Sequence, residues 1–396
     1  MDISRFYTRI INALTFWIMP ARLRRLIRNT LCGRTNISLK KVQNHLINYE
    51  DLKATQLIVM LIPEHNCMSG GIYSMFSIAN NSERYTHIHN SNIVLMTRPN
   101  IKKETYIRQT NFKNHNIIYR FEQILAFENL DKLIIHIPEE SAKTFYSLLS
   151  TKVKAHLGQI NHVQINIMNQ NIDLMPPKED YIDLYEITNN ITQTVAHHSY
   201  CSQEHANKSD LSTLLIPPYT DLSKYPKREF NKKNKMVLYS LDVNEYKDKI
   251  LNKIREELPE YELLEIKDIT FDKYMSLVTD SKFMITFGEG FDGYLAQSML
   301  QGGIGFAVYN EGFFPQEFDN SKPNIFSSYE DMYENIVNRI KLFEKDSAIY
   351  KSTNDYFVDL QNKLYNFEDY LNCIKRFYEQ DFDYYSQNTK KIMQGV

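Results

Sequence analysis

Short apolar runs alternate with polar, helix-like stretches along the chain from residue 55 onward. The first series of these runs reads TQLIVMLI, NIVLMT, KLIIHI, HVQINIM, TQTVAH and TLLIP. Strands that are apolar nearly throughout are typical of parallel sheets covered by helices on both faces. The first half of the chain is therefore predicted to form an α/β unit built on a parallel sheet.

A second series of the same kind follows from residue 236, and a stretch without periodicity separates the two. The second series reads MVLYSL, YELLEI, KFMITF and IGFAVYN. The separating stretch, IPPYTDLSKYPKREFNKKNK, is rich in proline, lysine and asparagine, which favours a linker. After residue 329 the pattern is helical to the end of the sequence.

These patterns predict an α/β protein with two Rossmann-like domains whose parallel sheets face a central cleft. The predicted segments are residues 1–35, amphipathic helices; 36–217, the first domain; 218–234, the linker; 235–345, the second domain; and 346–396, C-terminal helices. The carboxyl ends of parallel strands and the helix N-termini beside them present unpaired backbone N–H groups. We therefore expect a ligand in the cleft, and phosphate is the group that such amides suit.

Composition narrows the class of protein. At 396 residues the chain is long enough for two domains, and its formal net charge of −2 lacks the basic excess of a general nucleic-acid binder. Four cysteines lie far apart, at Cys32, Cys67, Cys201 and Cys373. Their spacing matches neither a zinc site nor a disulfide framework, which predicts a reduced cytosolic chain, although the fold could still pair them.

The N-terminal stretch MDISRFYTRIINALTFWIMPARLRRLIRN is basic and amphipathic, with six arginines against one acid, Asp2. Its longest apolar run, from Ile10 to Met19, is about half the ~20 residues that a membrane-spanning helix needs. No small-residue cleavage site follows it, as a signal peptide would require. Residues 1–34 are therefore predicted to lie on an anionic membrane surface. The alternative is an ordinary N-terminal helix that packs on the domain with its arginines in solvent.

Two glycine-containing turns are candidates for ligand contact. In IPEHNCMSGGIYSMFSIA, Gly70 and Gly71 open a helix after a strand, where ligand phosphates can approach backbone amides closely. Paired glycines at such a junction are also common as turn residues alone, so this motif is weak.

The second turn, TFGEGFDGYLAQ at residues 286–297, carries two carboxylates where a buried strand meets a helix. Glu289 stands between glycines, and its carboxylate could accept charge-assisted hydrogen bonds from ligand hydroxyls. Gln297, eight residues later, could add an amide. An acidic helix cap explains Asp292 equally well, but it does not explain the glycines beside Glu289.

Histidines and glutamates near the ends of first-domain strands complete the candidates. His136 in KLIIHIPEE, and His197 with His198 in TVAHHSY, are predicted to face the cleft, where His197 is favoured for catalysis. A satisfied structural role is the alternative for each, and the adjacent pair lacks a third metal ligand at a recognisable spacing. Glu139 could contact an acceptor, although a first helical turn explains it as well.

The run GEGFDGYLAQSMLQGGIGFAVYNEGFF resembles the donor-binding segment of retaining, family-4-like GT-B glycosyltransferases, whose signature is Glu, seven residues, Glu. Glu289 matches the first glutamate, which implies contact with the donor sugar, whereas Gln297 stands where the second glutamate is expected. The loop SGGIYS is similar to the glycine-rich loop over the donor phosphates. The family's arginine after the first strand of the second domain is replaced by Asp242, and Lys247 is a weak counterpart of its lysine.

The resemblance implies a GT-B fold whose C-terminal helices pack back on the first domain. Together with the positions of the candidates near strand ends, it leads to the following expected roles. Glu289 and His197 are expected to be catalytic, and His136 and Glu139 to bind the acceptor. The expected donor-binding residues are Gly70, Gly71, Lys247, Gly288, Gly290, Phe291, Asp292, Gly293 and Gln297.

The implied activity is transfer of a hexose from a nucleotide sugar to a bacterial surface glycan, such as lipopolysaccharide, capsule or a lipid-linked oligosaccharide. We expect retention of configuration and no metal or other cofactor, because helix N-termini and a lysine can stabilise the leaving diphosphate. The single Asp-x-Asp, Asp381 with Asp383, is predicted to be solvated surface. The expected location is the cytoplasmic face of the cell membrane. A non-catalytic subunit that binds sugar nucleotides and a nucleotide-sugar epimerase are the alternatives.

Overall fold

The first series of apolar runs forms a seven-stranded parallel sheet in the computed structural model, which describes residues 51–62, 70–99, 118–267 and 269–386. Its strands are β1 (Gln56–Ile62), β2 (Asn92–Thr97), β3 (Ile118–Tyr119), β4 (Lys132–Pro138), β5 (His162–Asn169), β6 (Ile191–Val195) and β7 (Ser212–Leu215). Their order across the sheet is β3-β2-β1-β4-β5-β6-β7. The predicted α/β unit is confirmed, and β1 is buried almost throughout, as a strand covered on both faces must be.

The second series forms a five-stranded parallel sheet. Its strands are β8 (Asn234–Tyr239), β9 (Glu262–Glu265), β10 (Ser281–Ile285), β11 (Ile304–Val308) and β12 (Ile325–Phe326). The order is β12-β11-β10-β8-β9, so the direction of strand addition reverses between β8 and β10. The strands β3 and β12 were not predicted, because two residues are too few to show a pattern.

Helices cover both sheets and continue to the C-terminal part of the chain. In the first half they are α1 (Gly70–Ser82), α2 (Thr86–His89), α3 (Ala142–Leu148), α4 (Thr151–Leu157) and α5 (Gln203–Ser209). In the second half they are α6 (Lys247–Glu257), α7 (Phe271–Asp280), α8 (Gly293–Leu300), α9 (Tyr329–Lys345), α10 (Ser347–Leu364) and α11 (Phe367–Tyr378).

The last three helices begin at capping residues that the sequence supplies. Ser328, Asp346 and Asn366 each accept hydrogen bonds from backbone N–H groups two or three residues further along. Such a cap stabilises a helix by about 1 kcal/mol. The caps therefore divide the C-terminal helical region into three helices with short connections.

The polypeptide crosses from the second domain to the first between α10 and α11. Phe357 and Leu360 of α10 belong to the hydrophobic core of the second sheet. In α11, an apolar stripe at helical spacing, formed by Tyr370, Ile374 and Phe377, packs against the first sheet together with α1. Of the helices in segment 346–386, α10 thus covers the second core and α11 completes the first.

The segment that follows α11 is attached to the edge of the first sheet. The backbone of Tyr384 exchanges two hydrogen bonds with Thr213 of β7, of 2.8 and 3.1 Å. Asp383 accepts a hydrogen bond from the backbone of Leu215 at 2.8 Å, and it forms an ion pair with Arg376 at 2.8 Å. Asp381 and Asp383 are both exposed, as predicted for solvated surface, and the carboxylate of Asp383 in addition binds this segment to β7. Asp381 pairs with Arg376 as well, at 2.7 Å.

The predicted N-terminal amphipathic helices at 1–35 lie outside the residues that the structure describes. Among the described helices, none combines the length and the apolar character that crossing a membrane requires.

Candidate functional site

The turn that carries Glu289 leaves β10 at the point where the strand order of the second sheet reverses. The strands β8 and β10 are neighbours there, and the loops that follow them, 240–246 and 286–292, lie side by side at the carboxyl edge. The backbone N–H of Phe287 donates to Ser240 Oγ at 2.9 Å, which ties the two loops together. Ligands of open α/β sheets bind at such a reversal.

Asp292 fixes the start of α8. Its Oδ1 accepts a hydrogen bond from the backbone N–H of Leu295 at 3.0 Å, and its Oδ2 accepts one from the hydroxyl of Thr286. The carboxylate is thus a helix cap that also joins the end of β10 to α8. A donor-binding role for Asp292, in addition to this structural role, remains a prediction.

The two glycines beside Glu289 have separate structural causes. A Cβ on Gly288 would lie 2.9 Å from Asp242 Oδ2. Gly290 has φ of +90°, and a Cβ there would lie 2.6 Å from the carbonyl oxygen of Val308 and 2.7 Å from Phe314 Cε2. Only glycine adopts such a backbone without strain. The glycines therefore allow Glu289 to be held in a tight turn between neighbouring loops.

Burial and nearby carboxylates raise the pKa of Glu289 to about 7. Burial is the larger cause, and the negative charges of Asp292, Asp173 and Asp242 add to it. With a pKa of about 7, both the protonated and the ionised form of Glu289 are populated near neutral pH. Glu289 can therefore donate or accept a hydrogen bond under ordinary conditions, which suits contact with a sugar hydroxyl or with a reacting oxygen.

The neighbouring groups share this negative environment. Burial raises the pKa of Asp292 to about 6, although its hydrogen bonds to Thr286 and Leu295 oppose the shift. Burial, followed by the charges of Asp242 and Asp292, raises the pKa of Tyr294 and of Tyr329 to about 12. These two phenols remain protonated hydrogen-bond donors at neutral pH.

Lys247, predicted to bind a diphosphate, is engaged with the protein itself. Its ammonium donates to the carbonyl oxygens of Ser240 at 2.7 Å and Asp242 at 3.2 Å, and it pairs with Glu265 at 3.3 Å. These three acceptors match the three donors of an ammonium group. Lys247 thus fastens the loop after β8, and its role towards a diphosphate remains a prediction.

The other predicted donor-binding residues of the second domain lie in and around α8. Gln297 is buried, and its amide nitrogen is 3.3 Å from the position of a Cβ on Gly293, so its side chain folds back along the first turn. The ring of Phe291 lies in the hydrophobic core against Phe314 and Phe357, with centroids 5.3 and 5.5 Å away. Any ligand contact from Phe291 is therefore left to its backbone.

In the first domain, the glycine pair opens α1 next to the end of β5. Gly71 lies against Gln170, whose Cβ would be 3.5 Å from a Cβ on the glycine, and Gly70 faces open space within 4 Å. Three residues into the helix, Tyr73 stacks on Phe271 of the second domain with centroids 5.1 Å apart. The N-terminal turn of α1 therefore lies beside the boundary between the two domains.

His197 follows β6 at the same boundary. Its ring meets Phe313 of the second domain edge to face, with centroids 5.6 Å apart. Burial, together with the smaller effect of the neighbouring His198, lowers the pKa of His197 to about 4, so the imidazole is neutral at pH 7. Asp173, which contributes to the pKa of Glu289, lies in the loop after β5. The structure thus brings the ends of β5 and β6 towards the Glu289 turn.

His136 lies elsewhere, inside the first domain. It is buried, its Nδ1 is 3.2 Å from the amide nitrogen of Asn166, and its ring packs on Phe377 and Tyr378 of α11. Burial lowers the pKa of His136 to about 3. The ring lies between the sheet and α11, and not at a surface open to an acceptor, because α11 covers the face of β4 to which His136 belongs.

Glu139 directly follows β4, and its side chain is buried. Its Oε1 accepts a hydrogen bond from the backbone N–H of Asn171 at 3.1 Å, and burial raises its pKa. It thus holds the loop that carries Asp173, and acceptor contact remains a prediction for it. The sequence did not indicate Asp173, because nothing near it in sequence marks the loop as part of a site.

Metal binding was not expected from the sequence. In the described part of the chain, no group of three or more His, Cys, Asp or Glu side chains is arranged to hold a metal ion. Metal independence therefore remains a prediction.

No protein-family model matches the chain, and no curated protein matches its sequence. Solved structures match its fold. A glycosyltransferase from Rickettsia africae ESF-5 superposes with a TM-score of 0.51 at 9% identity, over 83% of this chain and 98% of that one. The DNA-modifying enzyme β-glucosyltransferase superposes with a TM-score of 0.46 at 10% identity, over 82% of this chain and 99% of that one. A UDP-N-acetylglucosamine 2-epimerase from Rickettsia bellii gives a TM-score of 0.40 at 10% identity, over 81% and 98%.

At such low identity the likeness concerns the fold alone, and it leaves the Glu-x7-Gln motif of this chain without a matched counterpart. The two parallel sheets, their helices and the C-terminal helices agree with the first of these structures over nearly its whole length. The chain therefore has the two-domain GT-B fold.

Proposed function

We propose that the chain is a glycosyltransferase that moves a sugar from a nucleotide sugar to a glycan or glycolipid acceptor. The observation that carries the proposal is the position of Glu289. Its carboxylate, with a pKa raised to about 7, stands in a glycine-bounded turn where the strand order of the second sheet reverses, next to the loops of the first domain. A group that titrates near neutrality at such a reversal is suited to a sugar hydroxyl or a reacting oxygen.

The remaining groups can be assigned to parts of the donor. The N-terminal amides of α1 at Gly70 and Gly71 would bind the diphosphate, because a helix N-terminus favours negative charge. Glu289 would bind the sugar hydroxyls, and Gln297 a ribose hydroxyl. No step assigned here requires a metal, since amide donors can stabilise the leaving diphosphate.

The finer parts of the proposal rest on the sequence, through its resemblance to the family and the basic amphipathic pattern of residues 1–34. They are a hexose as the transferred group, retention of configuration, a bacterial surface glycan as acceptor, and attachment of residues 1–34 to the cytoplasmic face of the membrane. Vesicle flotation tests the last of these. Binding to anionic vesicles should disappear when residues 1–34 are removed, and equal binding by both forms would contradict it.

A second candidate is a non-catalytic protein that binds a sugar nucleotide. Two observations favour it. The three donors of Lys247 are used within the protein, and Asp242 brings a carboxylate to the place where the resembled family carries a cationic arginine. Both features weaken stabilisation of a leaving diphosphate, which transfer requires and binding alone does not.

Calorimetric titration with UDP, GDP, CMP, dTDP and their common sugars tests the function. One nucleotide should bind, and its sugar form should bind more weakly to Glu289→Gln than to the unchanged protein, because the variant retains shape but loses the titrating carboxylate. Glu256→Gln, on the exposed face of α6, is the matched control and should bind normally.

Release of free sugar or transfer to added glycan then separates the two candidates. Turnover that Glu289→Gln abolishes supports the transferase. Intact nucleotide binding without turnover towards any acceptor supports the non-catalytic protein. If no nucleotide or nucleotide sugar binds, the proposed function is wrong.

A further inference from the structure

We propose that His197 and His198 of the first domain position the Glu289 turn, acting through aromatic side chains of the second domain. This differs from the catalytic role predicted for His197, since in this arrangement the ring touches protein and not substrate. The contact itself is a property of the fold. Its importance for sugar transfer rests on the function proposed above.

The first of two connections runs through the loop after β11. The ring of His197 meets Phe313 edge to face, with centroids 5.6 Å apart and planes at 82°. The next residue, Phe314, lies directly beneath Gly290: its Cε2 would be 2.7 Å from a Cβ there. Its ring also packs on Phe291, with centroids 5.3 Å apart. Two adjacent phenylalanines thus join His197 to the residues that follow Glu289.

The second connection runs through the crossing between α10 and α11. The ring of His198 meets Tyr365 edge to face, with centroids 6.0 Å apart. The ring of Tyr365 in turn lies 6.2 Å from the ring of Phe291. Both histidines are therefore connected to Phe291 through aromatic residues, His197 through Phe313 and Phe314 and His198 through Tyr365.

Further contacts hold the loop after β11 between two loops of the first domain. The hydroxyl of Ser199 donates to the carbonyl oxygen of Gly312 at 3.3 Å. Ile172 approaches the same glycine from the loop after β5, with its Cδ1 3.8 Å from the position of a Cβ on Gly312. Asp173, whose charge acts on Glu289, is the next residue in that loop.

The mechanical consequence follows from the rigidity of this packing. Gly290 is packed so closely between Val308 and Phe314 that there is no room for a side chain. A displacement of Phe314 is therefore expected to displace the Glu289 turn. A ring lost from His197 would leave Phe313 without its partner and allow the 310–314 loop to move. The Glu289 turn should then open more often, because local opening is governed by such tertiary contacts.

Hydrogen exchange measured by mass spectrometry tests the inference without any ligand. The reporting amides are those of Phe287, Gly288 and Leu295, which donate to Ser240, Thr286 and Asp292. In His197→Ala we expect exchange in peptides covering 286–296 to be about 2- to 10-fold faster, the factor that corresponds to loss of one aromatic pair. Phe313→Ala should give the same increase, and the two changes together should give little more than either.

Three comparisons distinguish positioning from catalysis and from general loosening. His197→Phe keeps an aromatic edge and should restore slow exchange, whereas His197→Gln keeps hydrogen-bonding capacity and should not. His162 is the exposed first residue of β5, at the end of the strand away from the Glu289 turn. His162→Ala should therefore leave exchange in 286–296 unchanged. Exchange in α6 should be the same in all variants.

Unchanged exchange at 286–296 in both His197→Ala and Phe313→Ala would overturn the inference, whatever the protein binds. Restoration by glutamine and not by phenylalanine would also overturn it, because a hydrogen bond would then be responsible. If exchange responds as expected while no nucleotide sugar binds, the positioning contact stands and the proposed function fails.

Discussion

The carboxylate of Asp242 lies against the backbone of Gly288, so that a Cβ on the glycine would come within 2.9 Å of Oδ2. The contact joins the loop after β8 to the turn that holds Glu289. Asp242 is largely exposed, and its carboxylate can therefore rotate away from a new methyl group.

We accordingly expect Gly288→Ala to lower the free energy of unfolding by about 1 kcal/mol or less. Urea denaturation of Gly288→Ala, Asp242→Ala and the double variant measures the coupling between the two sites. In the double variant the penalty of the alanine should vanish. A penalty of the same size with and without Asp242 would show that the carboxylate is not the obstacle.

Gly290→Ala should be much more damaging than Gly288→Ala. The backbone at Gly290 has φ of +90°, and the new methyl group would meet the carbonyl oxygen of Val308, which cannot rotate away. We expect a loss of roughly 2–4 kcal/mol in the free energy of unfolding. The same urea measurement checks it, and equal stability of the two alanine variants would contradict this account.

Glu289 should make folding stability depend on pH in a defined direction. The pKa of its carboxyl group is about 7 in the folded protein against 4.5 ordinarily, so the folded state binds more protons between these values. The corresponding stability is present below pH 4.5 and is lost as the pH rises through 7. Glu289→Gln should therefore gain stability relative to the unchanged protein between pH 5 and pH 8.

Thermal unfolding of both proteins at several pH values measures that difference. Glu256→Gln, on the exposed face of α6, is the control. A difference that stays constant from pH 5 to pH 8 would mean that Glu289 titrates as an ordinary exposed carboxyl group.

Lys247→Met tests whether the lysine serves the fold. Methionine is of similar length, but it lacks the ammonium that lies over the rings of Tyr239 and Phe287. It also leaves two carbonyl oxygens and Glu265 without the lysine as donor. We expect a loss of about 1–3 kcal/mol in the free energy of unfolding.

The matched control is Lys249→Met, since that lysine is exposed on the same helix and should change stability by less than about 0.5 kcal/mol. Unchanged stability in Lys247→Met combined with weaker nucleotide binding would instead assign the ammonium to the ligand.

His136 should act in the opposite sense to Glu289. Burial lowers the pKa of His136 to about 3 from 6.5, so protonation favours the unfolded chain. Its stability contribution is present above pH 6.5 and is lost as the pH falls through 3. His136→Gln should therefore reduce the loss of stability between pH 6.5 and pH 4, measured by urea denaturation. An unaltered acid dependence would show that other groups account for it.

The strands were predictable because burial on both faces leaves a continuous apolar run, whereas the order of the strands is a matter of long-range pairing. The cap at Asp292 could be foreseen from its neighbours. The orientation of His136 could not, because it depends on α11, far along the chain. The pairing of Lys247 with Glu265 was hidden for the same reason, since Glu265 belongs to another strand.

The glycines beside Glu289 were predictable only in part. Their presence indicated an unusual turn, but the residues that require them, Asp242 for Gly288 and Val308 with Phe314 for Gly290, lie in or after other strands.

The packing of α11 on the first sheet has a consequence for the order in which the protein acquires its structure during synthesis. The ribosome makes residues 366–386 after every strand of the second sheet, yet Tyr370, Ile374 and Phe377 are part of the core of the first. The domain that is translated earlier is thus the one that finishes folding later, and until then its strand β7 has an uncovered edge, since Tyr384 is still to come.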